Sequence, residues 1–255
     1  MENSFIHPNA RIGKNTVIEP FCYIAENVEI GDNCHIGPHA TIFDYVRIGS
    51  GCRIFPGAVV GAEPQDMKFK GEVTYVEIGD NTTIRECATI NRGTAASGKF
   101  LTRVGSNCLL MSYVHIAHDC SIGNNCIFSS YAAVAGETDV DDWAILGGGA
   151  LCHQFSRIGT HAMVGGASAV NKDVPPYVIA ARNPFSFEGI NIVGLRRRGF
   201  DNATIEEIRE IYRVIYEEGE NVSDACRRVA SAFPDSPHKQ NILSFVQESK
   251  RGIVK

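Results

Sequence analysis

The sequence predicts a mainly β protein: a parallel β-helix of hexapeptide repeats, forming a narrow triangular prism, followed by a small C-terminal α-helical domain. Three observations predict it: a large apolar residue at every sixth position, a small or branched residue four places after most of these, and a switch near residue 201 to amphipathic-helix spacing. The count runs through Ile6, Ile12, Ile18, Ile24, Ile30, Ile36, Ile42, Ile48, Ile54 and Val60, then Ile78, Ile84 and Ile90, and resumes from Val104 to Val170. Helices repeat near 3.6 residues and strands near 2, so neither alone gives a strict six. Short strands wound into stacked coils do, because no single repeat can bury its apolar face and its neighbours must cover it.

The small positions, among them Ala10, Thr16, Cys22, Val28, Cys34, Ala40 and Cys52, fit tight corners while the large apolar residue fills the centre. Three hexads make one coil, so residues 18 apart stack at the inter-strand spacing of about 4.8 Å. Sequence number thereby becomes an approximate address in space.

The repeat is interrupted twice. Between Val60 and Ile78 the expected core positions fall on Asp66 and Glu72, and buried carboxylates there are too costly, so an excursion loop is expected near 61–75. A second loop is expected near 91–103, where Gly93, Ser97 and Gly98 suit surface backbone. Long loops on rigid scaffolds commonly carry function, which makes the first a candidate site wall. Pro175 and Pro176 are expected to end the ladder, giving a prism over 1–176, a connecting segment over 177–200 and helices over 201–255. In the last part Ile205, Ile208, Ile211, Tyr212 and Ile215 form one stripe, Gly219 is a stop signal, and further helices are expected behind Ser223 and behind Ser236, with Pro237 in the first turn.

Composition narrows the function. A formal net charge of -5 over 255 residues gives no support for a nucleic-acid binder that relies on a broadly cationic surface. Six of the nine cysteines, at 22, 34, 52, 108, 120 and 126, occupy the small corner position and are read as buried free thiols. There is no zinc-type CxxC pair, no apolar signal region and no run long enough for a membrane-spanning helix, so a cytoplasmic protein is expected.

The hexads starting at 116, 134 and 152 share one face on successive coils, and they collect His115, His118, Asp119, Gly136, Glu137, His153 and Gln154. Gly136 lies 18 residues beyond His118 and hence one rung away. A general base beside an unhindered backbone N–H suits acyl transfer: the imidazole takes a proton while the amide receives a developing oxyanion. His115 and His153 flank core positions and should point outward. Three outward histidines also suit zinc. His7, His35, His39, His161 and His238 are read as solvated or hydrogen-bonded residues without a catalytic part.

The stretches PQDMKFKGE, RVGSNCLLMSYVHIAHDC, VDDWAILGGGALCHQF, VGGASAVNKDVPPYVIA and GINIVGLRRRGF closely resemble the UDP-N-acetylglucosamine O-acyltransferases of lipid A biosynthesis, over nearly the whole chain. The resemblance implies a left-handed β-helix, a homotrimer with sites between subunits, and a Gram-negative-type bacterial source. It implies transfer of a 3-hydroxyacyl chain from acyl carrier protein to the glucosamine 3-hydroxyl of UDP-N-acetylglucosamine, with no cofactor and no metal. His118 corresponds to the general base, Asp119 to its orienting partner, and the Gly136 amide to the oxyanion donor. Gln65, Asp66, Lys68, His115, Glu137, His153 and Gln154 match substrate-contacting positions. Asn191, Arg197 and Arg198 match the nucleotide or phosphate end, and Gly166 a position that gauges acyl length. Arg103, Arg157 and Lys172 are further cations for the acidic carrier. Glu137 stands where relatives have histidine and Val193 where they have an acidic residue, which removes a positive charge at the first point and a hydrogen-bonding group at the second. The competing readings are a zinc-dependent hydratase of the gamma-carbonic-anhydrase type on the same prism, and a non-catalytic scaffold.

Overall fold

The structure, a computed structural model, describes residues 3–217 and 221–255; Gly219 lies outside the described residues. Its strands, numbered in chain order from β1 (Phe5–Ile6) to β27 (Ser186–Ile190), are mostly two residues long, and through most of the prism each pairs in parallel with the third strand after it. Three sheets result. Sheet A runs from β1 to β25 (Ala169–Val170), sheet B from β2 (Arg11–Ile12) to β23 (Arg157–Ile158), and sheet C from β3 (Val17–Ile18) to β27. The register stacks each apolar residue on its equivalent: β16 (His115–Ile116) and β19 (Ala133–Val134) pair Ile116 with Val134.

The core is the column of those residues. Ile24, Ile36, Ile42, Ile54, Ile84, Ile90, Leu110, Ile116, Phe128 and Leu146 are all essentially inaccessible, and each aliphatic side chain so buried contributes about 1.5–3 kcal/mol. Ile6 and Ile12, in the first coil, are only partly buried and pack against this core. The nine cysteines are free, and the six at corner positions are buried.

Most turns contain a residue in the left-handed backbone region, which Asn adopts more readily than most side chains. On the B–C corner Asn15, Asn33, Asn81, Asn107 and Asn125 hold it, with φ between 55° and 58°. Beside them a side-chain ladder caps the turns. Asp32 accepts the Lys14 N–H at 2.6 Å, Asp80 that of Ser50 at 2.7 Å, Asn124 that of Ser106 at 2.9 Å and Asp142 that of Asn124 at 2.7 Å.

Both interruptions of the repeat leave the prism at the A–B corner. One lies between β10 (Val59–Ala62) and β11 (Tyr75–Ile78), the other between β13 (Thr89–Asn91) and β14 (Leu101–Val104). They occupy the two coils directly preceding the turn that carries His118. The loops are tied together: Glu72 Oε1 accepts the Ala95 N–H at 2.9 Å, and the Arg92 guanidinium lies over the Phe69 ring, 5.2 Å from its centroid.

Three expectations need correction. Pro175 and Pro176 do not end the ladder: Val174 bridges Ile158, and β26 (Val178–Ala181) pairs in parallel with β24 (Met163–Val164) before β27 turns back antiparallel. The connecting segment also contains a short helix, α1 (Ile192–Arg197), with no periodic stripe to announce it. The helix expected behind Ser223 begins earlier, as α3 (Val222–Ala232), because the Asn221 side chain caps it by accepting the Asp224 N–H. The other helices are α2 (Asn202–Glu217) and α4 (Pro237–Glu248), the latter capped by Ser236. Arg157 joins prism to helices, with its guanidinium 4.4 Å from the Phe245 ring centroid.

Candidate active site

A cavity of about 380 Å³ opens at the A–B corner, lined by Gln65, Asn91, His115, Ala117, His118, Ala133, Val134, Ala135, Gly136, Leu151 and Cys152. Two histidines, His115 and His118, stand in the lining, and His118 is the one held by a carboxylate. Nδ1 lies 2.8 Å from Asp119 Oδ2. An ionised carboxylate only accepts, so Nδ1 carries a proton, and in the neutral ring Nε2 presents its lone pair to the cavity. On that side Asp66 Oδ2 stands 3.8 Å from Nε2.

Asp119 is fully buried. Its carboxylate also receives the Thr94 N–H at 2.9 Å and the Thr94 hydroxyl at 2.7 Å, and its own N–H donates to Thr102 Oγ1 at 2.8 Å. Burial pushes the acid's pKa up, but the hydrogen bonds from His118, Ser97 and Thr94 outweigh it and leave it below the usual carboxylate range. The hydrogen bond to Asp119 raises the His118 pKa; burial opposes this, and the charges of Asp119, Asp66 and Glu137 add to the rise. Lys99 closes the arrangement, with Nζ 3.2 Å from the Asp119 carbonyl and 3.0 Å from Asp139 Oδ1. Thr94, Lys99 and Thr102 escaped sequence reasoning: the second loop was expected only as surface backbone, and no periodicity ties it to Asp119.

Gly136 lies one rung above His118, as the 18-residue step requires. A Cβ at this position would stand 2.5 Å from both Cε1 and Nε2 of His118, so glycine is what admits the imidazole. His115 is half-buried, its Nδ1 2.7 Å from Thr89 Oγ1. Burial, followed by the neighbouring His118 charge, lowers its pKa and favours the neutral ring.

The remaining candidates divide. Gln65 lines the cavity and Asp66 overlooks it, while Lys68 is exposed on the same loop, its N–H bonded to Asp66 Oδ1 at 2.9 Å. Glu137 occupies the left-handed turn position with φ 58°, its N–H donating to the His118 carbonyl at 3.0 Å. His153 and Gln154 are exposed one coil further on, with His153 Nδ1 3.0 Å from the Gln154 carbonyl. Among the described residues no three histidine, cysteine or acidic side chains converge as a metal-binding group.

Asn191, Arg197, Arg198 and Gly166 are not brought to this cavity within one chain. Asn191 is a buried helix cap: Oδ1 accepts the Gly194 N–H at 3.1 Å and Nδ2 donates to the His161 carbonyl at 3.0 Å. Arg198 lies against Trp143 on the B–C corner and donates to His161 Nδ1 at 3.0 Å. His161, expected as an ordinary polar residue, is buried between the rings of Trp143 and Tyr177. Its pKa is pushed down to about 4, first by burial and then by the Arg198 and His238 charges. Arg197 remains exposed on α1, and Gly166 is exposed at the C–A corner. The cations expected to meet the carrier are already paired in the chain: Arg103 with Glu77 at 2.8 Å, Arg157 with Glu248 at 3.3 Å, and Lys172 with the Arg251 carbonyl at 2.7 Å.

Residues 9–44 and 101–136 match the bacterial transferase hexapeptide family, and residues 173–254 match the second domain of UDP-N-acetylglucosamine O-acyltransferase. An acyl-[acyl-carrier-protein]–UDP-N-acetylglucosamine O-acyltransferase from Nautilia profundicola is 44% identical over 196 residues, covering 77% of this chain and 75% of the relative. The crystal structure of a UDP-N-acetylglucosamine acyltransferase from Bacteroides fragilis superposes with a TM-score of 0.97 at 51% identity, covering 100% of this chain and 99% of that one. The Francisella novicida enzyme of that name superposes with a TM-score of 0.96 at 38% identity, covering 100% and 93%. The prism therefore winds as a left-handed parallel β-helix, and the chain belongs to the UDP-N-acetylglucosamine O-acyltransferase family.

Proposed function

We propose that this protein transfers a 3-hydroxyacyl chain from the thioester of acyl carrier protein to the glucosamine 3-hydroxyl of UDP-N-acetylglucosamine, the first step of lipid A biosynthesis. The observation that carries the reading is His118, with Nδ1 fixed by a buried Asp119 and Nε2 facing a cavity over the Gly136 backbone. A sugar hydroxyl is a poor nucleophile until a base removes its proton as it attacks. Nε2 of His118 takes that proton while the hydroxyl oxygen bonds to the thioester carbon. The negative charge formed on the carbonyl oxygen is met by the Gly136 N–H, a fixed donor of the kind that lowers such barriers. As the intermediate collapses the carbon–sulfur bond breaks, and the imidazolium returns its proton to the departing thiolate. No cofactor enters this sequence, and the thioester is itself a substrate.

Gln65, Asp66, Lys68, His115, Glu137, His153 and Gln154 surround the sugar and acyl groups in this reading. Asn191, Arg197, Arg198 and Gly166 serve it from a neighbouring copy, since they sit on other corners of the prism. A homotrimer places one subunit's A–B corner against the next. Exposed Arg197 is the arginine suited to grip the diphosphate. Glycine at 166 leaves room for a long acyl chain. Among the described residues no helix is long and apolar enough to cross a membrane.

The test is turnover of UDP-N-acetylglucosamine with a panel of 3-hydroxyacyl carrier proteins. His118→Ala is expected to lower kcat by about 10²–10⁴-fold, the loss of a general base, while the assembly state is unchanged. Near-normal turnover in that variant would sink the assignment.

A further inference from the structure

Thr89 opens β13 in sheet A and pairs in register with His115 of β16. Successive strand residues face opposite sides, and Ile90 and Ile116 fill the prism, so Thr89 and His115 stand together on the outer face. Thr89 Oγ1 lies 2.7 Å from His115 Nδ1. Along this face the next residues are Val59 on one side and Ala133 on the other. Neither side chain has a polar atom, and among the described residues Thr89 Oγ1 has no second hydrogen-bond partner.

A hydroxyl carries one proton to donate, and the acceptor it faces here is the imidazole nitrogen. Nδ1 accepts only when it is bare, and a neutral ring then carries its proton on Nε2. Burial, followed by the His118 charge, favours that neutral ring. Nε2 has no hydrogen-bond partner among the described residues, and it is not one of the buried polar atoms left without one. It therefore keeps accessible surface, and the open space beside His115 is the cavity that also holds His118, Gln65 and Gly136.

We infer that Thr89 is a positioning residue of the acceptor subsite: its hydroxyl donates to Nδ1 and holds His115 in the Nε2–H form, so that the imidazole donates a hydrogen bond to an oxygen of the bound sugar nucleotide. This rests on the function proposed above. The two cavity histidines then differ by what faces Nδ1. At His118 it is a carboxylate, which only accepts, and Nε2 is left as a base. At His115 it is a hydroxyl that donates, and Nε2 is left as a donor. A protonated Nε2 cannot take the proton of the attacking hydroxyl, so the two rings do not exchange roles.

Two measurements test it. In protein carrying nitrogen-labelled histidine, with the His115 signals identified by their absence from His115→Asn, nitrogen NMR of the wild type should show Nδ1 bare and Nε2 protonated. Thr89→Val keeps the side chain's shape and removes the hydroxyl. It should lose that fixed form and raise KM for UDP-N-acetylglucosamine about three- to tenfold, the scale of one neutral hydrogen bond, with kcat and the KM for the 3-hydroxyacyl carrier protein within about twofold. Thr89→Ser keeps the donor and should restore both the NMR signature and KM. A wild-type His115 protonated at Nδ1 overturns the inference, and this holds even if the variants do not fold. An unchanged KM in Thr89→Val, a rise confined to the carrier protein, or a Thr89→Ser as impaired as Thr89→Val also overturns it, while leaving the proposed function in place. A wild type inactive on UDP-N-acetylglucosamine removes the proposed function and the contact inferred here with it.

Discussion

Two corners of the same prism use the same turn for opposite ends. On the B–C corner the residue after each turn's entry is Asp32, Ser50, Asp80, Ser106, Asn124 or Asp142, and each accepts a backbone N–H from the coil below. That ladder satisfies its own donors and gives a ligand little to bind. At the equivalent place on the A–B corner stand His118 and Gly136, with the two excursion loops leaving from the preceding coils. Here the capping role has passed to loop atoms, and Thr94 supplies both its N–H and its hydroxyl to buried Asp119. A regular corner consumes its polar groups internally, whereas the corner of the proposed site keeps an imidazole and a glycine backbone at the cavity.

This contrast can be broken from the functional side first. After His118→Ala, the largest effect is expected from Gly136→Ala, whose Cβ would press on the imidazole at 2.5 Å. Displacing a base from its reacting geometry costs about a hundredfold in kcat, and circular dichroism of the variant should remain that of the wild type. Unaltered kcat would show that the ring need not sit where it does.

Thr94→Val tests whether the second loop belongs to the machinery. It removes the hydroxyl bond to Asp119 Oδ2 but leaves the backbone N–H bond. About a tenfold fall in kcat is expected, the scale of one hydrogen bond to a charged group, with little change in KM and recovery in Thr94→Ser. A KM effect of equal size would instead place Thr94 against substrate.

The pH dependence sharpens the electrostatic part. His118 must be neutral to act as a base, and its pKa is raised chiefly by the hydrogen bond to Asp119, with burial opposing and the Asp119, Asp66 and Glu137 charges contributing. Activity is therefore lost as pH falls through that raised value. Glu137→Gln removes one raising charge, so the acid limb of kcat/KM should move to lower pH. A limb that stays in place or moves up would show that Glu137 does not act on His118 through its charge.

The smallest effect lies on the silent corner. Asp80→Ala removes the cap on Ser50 N–H and should lower unfolding free energy by about 1 kcal/mol, read by denaturant titration, with kcat and KM unchanged. An activity loss there would dissolve the distinction between the corners.

Much of the active corner could be read in the chain, for a definite reason. His118 and Gly136 are 18 residues apart, and a parallel stack converts that number into one rung. Asp119 beside His118 was readable as a neighbour, but its burial was not, because the groups that bury it come from a loop without a period. Asn191 and Arg198 show the converse. The motif alone assigns them to the ligand; within one chain the first caps α1 and the second braces His161 against Trp143, and their proposed part belongs to a neighbouring copy.

The sequence by itself determined the hexad core, the corner positions and the rung on which each catalytic candidate stands, because these follow from a repeat whose contacts are all between adjacent coils. Only the tertiary structure decided how two aperiodic loops fold over one corner and which donors hold Asp119. Those outcomes depend on contacts between segments tens of residues apart, with no periodic relation between them to reveal the pairing.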